Sequence, residues 1–225
     1  MVSDPPSAPD RNTWFEVAVP APPEHFDPLV DVLPAGSRLY RTFSAAPDRH
    51  VTTFNPGYGG PHRFSFFGDP PVPVLYAAQS EIAAVCESLL HDVPLTGGRI
   101  MPEHYERSVT GALETTRDLR LAVFHGLGLR RLGVEPVQLT ASPARTYRAT
   151  VAWARAAHAA GLDGAEWMSA RLDTDRAYIF FGDRVREDDL RVVTSYGRVF
   201  VTGPDRDWLV DLCASVKVDV LTRTR

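Results

Sequence analysis

Several sequence features that commonly indicate a function are scarce or absent in this chain. Only two cysteines occur, Cys86 and Cys213, and they lie too far apart in sequence to form a metal-ligand motif. Cys86 falls among apolar residues of a predicted helix, so buried free thiols are expected rather than a disulfide. The chain has neither a run of about 18 apolar residues nor a secretory leader pattern, and a cytoplasmic protein without membrane contact is the default expectation.

Excess positive charge is also missing. The formal net charge is -4 and the isoelectric point is near 6.0, with no long run of like charges. Such a chain offers no basic surface for a phosphate backbone, so direct nucleic-acid binding is not expected. The sequence also lacks the P-loop, GxGxxG, HExxH, GxSxG and CxxC motifs, and this excludes the commoner enzyme classes that carry them.

The chain is rich in apolar residues, and its prolines are concentrated near the N-terminus. Hydrophobic residues make up 44% of the 225 residues, which suits a single globular core. Residues 1–33 are predicted to form a semi-extended arm, and residues 34–225 one domain, because proline removes backbone donors and fixes φ. The prolines of this N-terminal region are Pro5, Pro6, Pro9, Pro20, Pro22, Pro23, Pro28 and Pro34.

Strand and helix patterns are mixed along the domain without a regular βαβ rhythm, which predicts an α+β fold. Strands are predicted at 38–43, 72–78, 120–124, 177–181, 190–194 and 199–202, and helices at 80–90, 147–160 and around 208–216. Ser80 suits the cap of the first helix. Ile82, Val85, Cys86, Leu89 and Leu90 share its predicted apolar face, with Glu87 on the flank.

Four polar or aromatic residues are candidates for a site, each with a plainer alternative. Arg63 follows the glycine-rich stretch 55–61 and suits either an anion clamp or an exposed surface position. Tyr76 suits either a ring against a planar ligand or a core aromatic. Glu87 suits either stabilisation of positive charge or a solvated flank, and Ser169 suits either ligand binding or a chain turn.

The order and spacing of these residues resemble the RES domain, the toxin half of a bacterial toxin–antitoxin pair and a relative of the ADP-ribosyltransferase fold. The resemblance covers roughly residues 34–181. It rests on LYR (Tyr40, Arg41), HRF (Arg63), VLYAAQS (Tyr76), AVCESLL (Glu87) and AGLDGAEWMSAR (Ser169). The chain departs from the family pattern at His62, where glycine is frequent, at Phe64-Ser65, where Trp-Asn is frequent, and at Thr42.

The resemblance implies a fold, a substrate and residue roles. The expected core has two packed β-sheets flanked by helices. The expected substrate is NAD+, cleaved between nicotinamide and ribose, with Glu87 and Arg41 as the catalytic residues. Arg41 and Arg63 are expected to hold the pyrophosphate, Tyr76 to border the nicotinamide, and Ser169 to bond the ribose or amide; Tyr40 joins them as a substrate-binding residue.

The resemblance leaves the acceptor open among water, inorganic phosphate and a protein side chain, with water or phosphate favoured. It implies no metal and no cofactor beyond NAD+ as substrate. It also implies a helix-turn-helix antitoxin as partner, and it allows a homodimer. A non-catalytic nucleotide-binding module is the second reading. A ribonuclease is disfavoured by the acidic isoelectric point, the missing basic patch and the lack of an evident pair of histidines.

Overall fold

A computed structural model describes residues 18–223 of the chain. In the proline-rich arm, the sequence offers Trp14, Phe15, Val17 and Val19 as a short strand or as apolar anchors. The first three lie outside the described range, and Val19 packs against the core. The strands are β1 Val30–Leu33, β2 Arg38–Ser44, β3 Val74–Ala78, β4 Gly98–Ile100, β5 Ser108–Thr115, β6 Leu119–Val123, β7 Gly164–Met168, β8 Arg176–Phe181, β9 Leu190–Val199 and β10 Val218–Val220. The α-helices are α1 Glu81–Cys86, α2 Pro102–Tyr105, α3 Gly126–Leu132, α4 Tyr147–Ala159 and α5 Pro204–Ser215. No helix in 18–223 has the length and hydropathy needed to cross a bilayer.

Eight of the strands form one mixed sheet, in the order β1-β6-β7-β8-β3-β2-β5-β9. Its neighbours are antiparallel except for β6 and β7, and β4 pairs with β10 in a separate parallel ribbon. The predicted α+β class is therefore confirmed. The expected core of two packed sheets is not what the hydrogen bonds of residues 18–223 describe, because they join the eight strands into a single large sheet.

The large sheet has a narrow junction at its middle. Strands β2 and β3 share a single paired position, Tyr40 with Ala78. On either side the pairing is long: β2 pairs with β5 from Arg38 to Ser44, and β3 pairs with β8 along its whole length. Beyond the junction, β2 and β3 therefore expose facing backbone and side chains to a gap, and this gap is where the cleft described below lies.

Helix α4 covers one face of the sheet. Its alanine-rich sequence favours a helix, and its buried residues recur every three or four positions, as at Val151, Ala154 and Ala157. Gly161 adopts a positive φ of 79° just beyond its end, as predicted for a helix stop.

The N-terminal segment also packs on the domain. The indole of Trp153 donates to the carbonyl of Pro20 at 2.9 Å, and the ring of Phe26 lies edge-on to it. Strand β1 pairs with β6, so four residues placed in the predicted arm are part of the sheet. The sheet thus begins ahead of residue 34, because β1 can satisfy its backbone groups against β6.

Helix α1 begins as predicted but ends earlier. The Oγ of Ser80 accepts a 3.1 Å bond from the amide of Ala83, which caps the helix. The amides of residues 88, 89 and 90 all converge on the carbonyl of Val85, and this closes the helix at Cys86 instead of continuing it to residue 90. Ile82 is 37% exposed, so its predicted place on the buried face is wrong. Cys86 and Cys213 are both buried free thiols, as predicted.

Candidate active site

A cleft of about 580 Å³ opens at the junction of the large sheet. Strands β2 and β3 form two of its walls, and the loop around residues 55–63 forms a third. The end of α1 and the start of α4 close the remaining sides. Of the six predicted site residues, the cleft brings together Tyr40, Arg41, Arg63, Tyr76 and Glu87, which come from four separate points of the chain.

Glu87 lies on the cleft wall directly after α1, and a serine from another element holds it. The Oγ of Ser169 donates to Oε1 of Glu87 at 2.6 Å. The same Oγ accepts bonds from the amides of Arg171 at 3.3 Å and Leu172 at 3.2 Å, so its proton is directed to the carboxylate. Oε2 of Glu87 has no hydrogen-bond partner among residues 18–223, which leaves it available to a ligand.

Ser169 therefore differs from its sequence-based role. Its side chain is completely buried, and it is absent from the residues that line the cleft. It follows β7 and stands behind Glu87. A hydroxyl that already makes three hydrogen bonds and meets no solvent orients the carboxylate, whereas the expected role was direct contact with the substrate.

Arg41 contributes a charged donor to the cleft. Its Nη1 donates to the carbonyls of Val51 at 3.0 Å and Thr53 at 2.6 Å, which fixes the guanidinium. Burial lowers the pKa of Arg41 to about 10, so the group still carries its charge at neutral pH. Within 18–223 no carboxylate forms an ion pair with it, and an anionic ligand would be its first full counter-charge.

Arg63 is a buried arginine rather than an exposed one. Only 8% of the residue is accessible. Its Nη1 donates to the carbonyls of Leu139 at 3.0 Å and Ser142 at 2.8 Å, and its Nη2 to the hydroxyl of Tyr147 at 3.3 Å. Burial lowers its pKa, and the ring of Tyr147 lies 4.9 Å from the guanidinium carbon. Arg63 thus anchors the segment ahead of α4 while bordering the cleft.

Tyr76 presents a fixed ring on the β3 wall. Its hydroxyl donates to the Oγ of Ser65 at 3.1 Å and accepts from the amide of Phe64 at 3.2 Å. Burial raises the pKa of Tyr76, so the hydroxyl stays protonated. Trp167 lies behind it at a ring distance of 6.2 Å, and its indole N–H is buried without a hydrogen-bond partner in the described residues.

Tyr40 lines the opposite side of the junction. Its ring packs edge-on against Tyr196 at 5.1 Å between centroids. This contact ties the β2 wall to β9 and orients Tyr40 at the cleft. A planar group entering the cleft would meet aromatic side chains from both halves of the sheet.

Sequence reasoning missed a set of polar residues on the side of the cleft near α4. The hydroxyl of Tyr147 lies 2.8 Å from Nε2 of His91, and Nδ1 of His91 lies 2.7 Å from Oδ1 of Asp92. His62 lines the same cleft, so two histidines that are 29 residues apart in sequence border one pocket. The adjacent His91-Asp92 dipeptide was the only local signal, since Tyr147 is 56 residues away.

The fold and cleft define a mixed α+β protein with a carboxylate, a fixed arginine and aromatic rings around one pocket. The family model for the RES domain matches residues 38–202, which include all six predicted site residues. The chain belongs to the RES domain family.

Comparison with solved structures gives the same fold. A chain of the M. tuberculosis MbcT–MbcA toxin–antitoxin complex superposes with a TM-score of 0.55 and 16% sequence identity. The match covers 81% of this chain and 92% of that one. No curated protein matches the chain in sequence.

Proposed function

We propose that this RES domain cleaves NAD+ between nicotinamide and ribose, with water or inorganic phosphate as acceptor. The observation that carries the proposal is the Glu87 carboxylate, which Ser169 holds at 2.6 Å through one oxygen while the other oxygen has no partner among the described residues. Arg41 and Tyr76 border the same cleft. A volume of about 580 Å³ suits a substrate of dinucleotide size, since small-molecule pockets typically span about 300–1,000 Å³.

Cleavage of the bond between nicotinamide and ribose requires stabilisation of the positive charge that develops on the ribose, rather than a strong nucleophile. When the C–N bond breaks, its electron pair goes to the pyridine nitrogen and the ribose becomes oxocarbenium-like. A carboxylate held beside that carbon lowers the energy of the transition state more than that of bound NAD+, which is the condition for catalysis. Glu87 takes this role, and Arg41 fixes the pyrophosphate so that the ribose is presented to the carboxylate.

Arg63 is expected to contribute less than Arg41 to binding of the pyrophosphate. Arg63 donates four hydrogen bonds to protein groups through Nη1 and Nη2, so Nε–H and one Nη2–H are the donors left for phosphate. Tyr76 borders the nicotinamide through its ring, since its hydroxyl is already used. Tyr40 supplies the facing aromatic wall. No step of this scheme requires a metal or a cofactor in addition to the NAD+ substrate.

The test is to incubate the purified protein with NAD+, with and without inorganic phosphate, and to separate the products by chromatography and mass. Free nicotinamide is the expected product, and the mass of the ribose-bearing product identifies the acceptor. Glu87→Gln should reduce the rate by at least about 10²-fold. Glu103→Gln is the matched control, because Glu103 is exposed on α2 and is not among the residues that line the cleft.

Two other activities give different results in the same assay. A protein ADP-ribosyltransferase would release little nicotinamide until a protein acceptor is added. A non-catalytic nucleotide-binding module would bind NAD+ in calorimetry, leave it intact, and respond equally to Glu87→Gln and Glu103→Gln. Intact NAD+ under every condition would therefore overturn the proposed hydrolysis and phosphorolysis.

We further propose that the protein acts in the cytoplasm as the toxin of a toxin–antitoxin pair. The RES family membership and the fold shared with a chain of a toxin–antitoxin complex support this role. The expected partner is a helix-turn-helix antitoxin that covers the cleft, and a homodimer is compatible with it. Induced expression should deplete cellular NAD+ and arrest growth, and Glu87→Gln should do neither. Co-expression of a helix-turn-helix protein encoded beside this one should restore growth.

A further inference from the structure

His62 is a free imidazole on the wall of the cleft. The residue is exposed, and it lines the same pocket as Glu87. Neither ring nitrogen has a hydrogen-bond partner among residues 18–223, in contrast to His91, where both nitrogens are engaged. The ring stands edge-on to Tyr76 at 6.0 Å and to Phe66 at 6.4 Å, so aromatic neighbours hold its position while its nitrogens remain available.

The backbone also holds this residue in place. The amide of His62 donates to the carbonyl of Ser65 at 3.0 Å, and the amide of Ser65 donates back at 3.2 Å. These two hydrogen bonds close a tight turn that includes the buried Arg63 and directly follows the loop at 55–61. The imidazole therefore projects from a fixed backbone.

The surroundings of His62 favour its neutral form. Although the residue is accessible to solvent, partial burial of its ring against the cleft walls lowers its pKa below the usual 6.5. The nearby His91 acts in the same direction, and Asp92 opposes them. The other ionisable groups of the cleft are Arg63 beside it, Tyr76 on β3, Tyr147 at the start of α4, Tyr40 and Arg41 on β2, and Glu87. At neutral pH the imidazole is therefore an unprotonated base that faces the reaction space.

We propose that His62 is the general base that activates the acceptor water, a role that rests on the proposed NAD+ cleavage. The C–N bond to nicotinamide breaks with its electron pair moving to the pyridine nitrogen, and a water oxygen forms the new bond to the ribose carbon. The proton lost by that water passes to the free nitrogen of His62 and then to solvent. The products are nicotinamide, ADP-ribose and one proton, so atoms and charge balance without an oxidant or reductant.

A general base at His62 should accelerate attack by water but not attack by an anionic nucleophile. Water must lose a proton as it attacks, so a positioned base accelerates the step by about 10²–10⁴-fold. An anion such as azide attacks without releasing a proton. Removal of the base should therefore slow hydrolysis while sparing reaction with azide, and a purely structural or binding role for His62 would slow both alike.

The experiment compares the full-length wild-type protein with His62→Gln and with the matched control His104→Gln, whose residue is exposed on α2. Each is assayed with NAD+ in phosphate-free buffer from about pH 5 to 9, with and without azide, and products are identified by mass. His62→Gln should hydrolyse NAD+ at least about 10²-fold more slowly and form the ADP-ribosyl azide at a rate near that of the wild type. The wild type should lose hydrolysis as the pH falls below 6.5, and the variant should lack this limb.

The outcomes separate this inference from the proposed function. If the wild type releases no nicotinamide with any acceptor, the NAD+ cleavage itself is wrong. If the wild type cleaves NAD+ but only when phosphate is present, or if His62→Gln keeps the hydrolysis rate and the acid limb, the base assignment is overturned while the cleavage stands. Equal loss of hydrolysis and azide reaction would also overturn it, and thermal melting of all three proteins checks that they are folded.

Discussion

The hydroxyl of Ser169 donates a 2.6 Å hydrogen bond to the Glu87 carboxylate, across 82 residues of sequence. Ser169 follows β7, which is the third strand from the β1 edge of the sheet, and Glu87 closes α1. The bond therefore joins the end of a sheet strand to the end of a helix beside the cleft. Since the Oγ of Ser169 also accepts hydrogen bonds from two backbone amides, its own proton is directed to the Glu87 carboxylate. The carboxylate is thereby held in a single orientation toward the pocket.

Replacement of Ser169 by alanine should weaken catalysis more than binding. Glu87 would lose its orienting donor, and two half-buried amides would lose their acceptor. We expect a lower kcat for nicotinamide release with a smaller change in KM, and a decrease of about 1–3 kcal/mol in the free energy of unfolding. Ser215→Ala on the exposed end of α5 is the control. A variant with unchanged kcat would contradict the orienting role of Ser169.

Removal of the guanidinium of Arg41 should reduce NAD+ affinity without unfolding the domain. Among residues 18–223 this charge has carbonyl partners but no ion pair, so a bound pyrophosphate would supply its counter-charge. Arg41→Ala should raise the Kd for NAD+ by about 10-fold or more, as measured by calorimetry with the Glu87→Gln protein to prevent turnover. Arg130→Ala, an exposed position on α3, should leave the Kd unchanged. Equal affinities would refute pyrophosphate binding by Arg41.

Arg63 should respond to substitution mainly through stability. A lysine cannot reach the carbonyls of Leu139 and Ser142 and the hydroxyl of Tyr147 at once, because its ammonium is a compact point charge. We expect Arg63→Lys to lower the free energy of unfolding by about 2–3 kcal/mol, as measured by urea denaturation. Arg130→Lys is the matched control. A fully stable Arg63→Lys protein with weakened NAD+ binding would instead favour the clamp role predicted from sequence.

The two thiols should be unreactive in the native protein. Burial raises the pKa of both Cys86 and Cys213 to about 11, so the reactive thiolate is scarce at neutral pH. A thiol reagent such as dithionitrobenzoate should titrate both cysteines in denaturant and neither at a comparable rate in the folded state. Because the unfolded thiols release protons first, stability should fall as the pH rises from about 9 toward 11. Rapid labelling of the folded protein would contradict this burial.

Much of the secondary structure could be predicted from local patterns. Strands β2, β3, β6 and β8 and helix α4 lie where apolar alternation or helical spacing placed them. Strand β5 was missed because it carries threonine, serine and a glycine instead of an apolar run, and its burial comes from lying between β2 and β9. The early end of α1 was missed because the apolar pattern continues to residue 90 after the backbone has turned.

The sequence by itself determined the residue types, their order and the family, since the motifs at Arg41, Arg63, Tyr76, Glu87 and Ser169 can be read along one chain. Only the tertiary structure decided which of these side chains face the cleft. Ser169 stands behind Glu87, Arg63 turns most of its donors to the protein, and His62 opens into the cleft. The positions of Ser169 and Arg63 depend on hydrogen bonds between residues more than 70 positions apart, and that of His62 depends on the gap at the Tyr40–Ala78 junction. A local pattern of hydrophobicity does not encode contacts between residues so far apart in sequence.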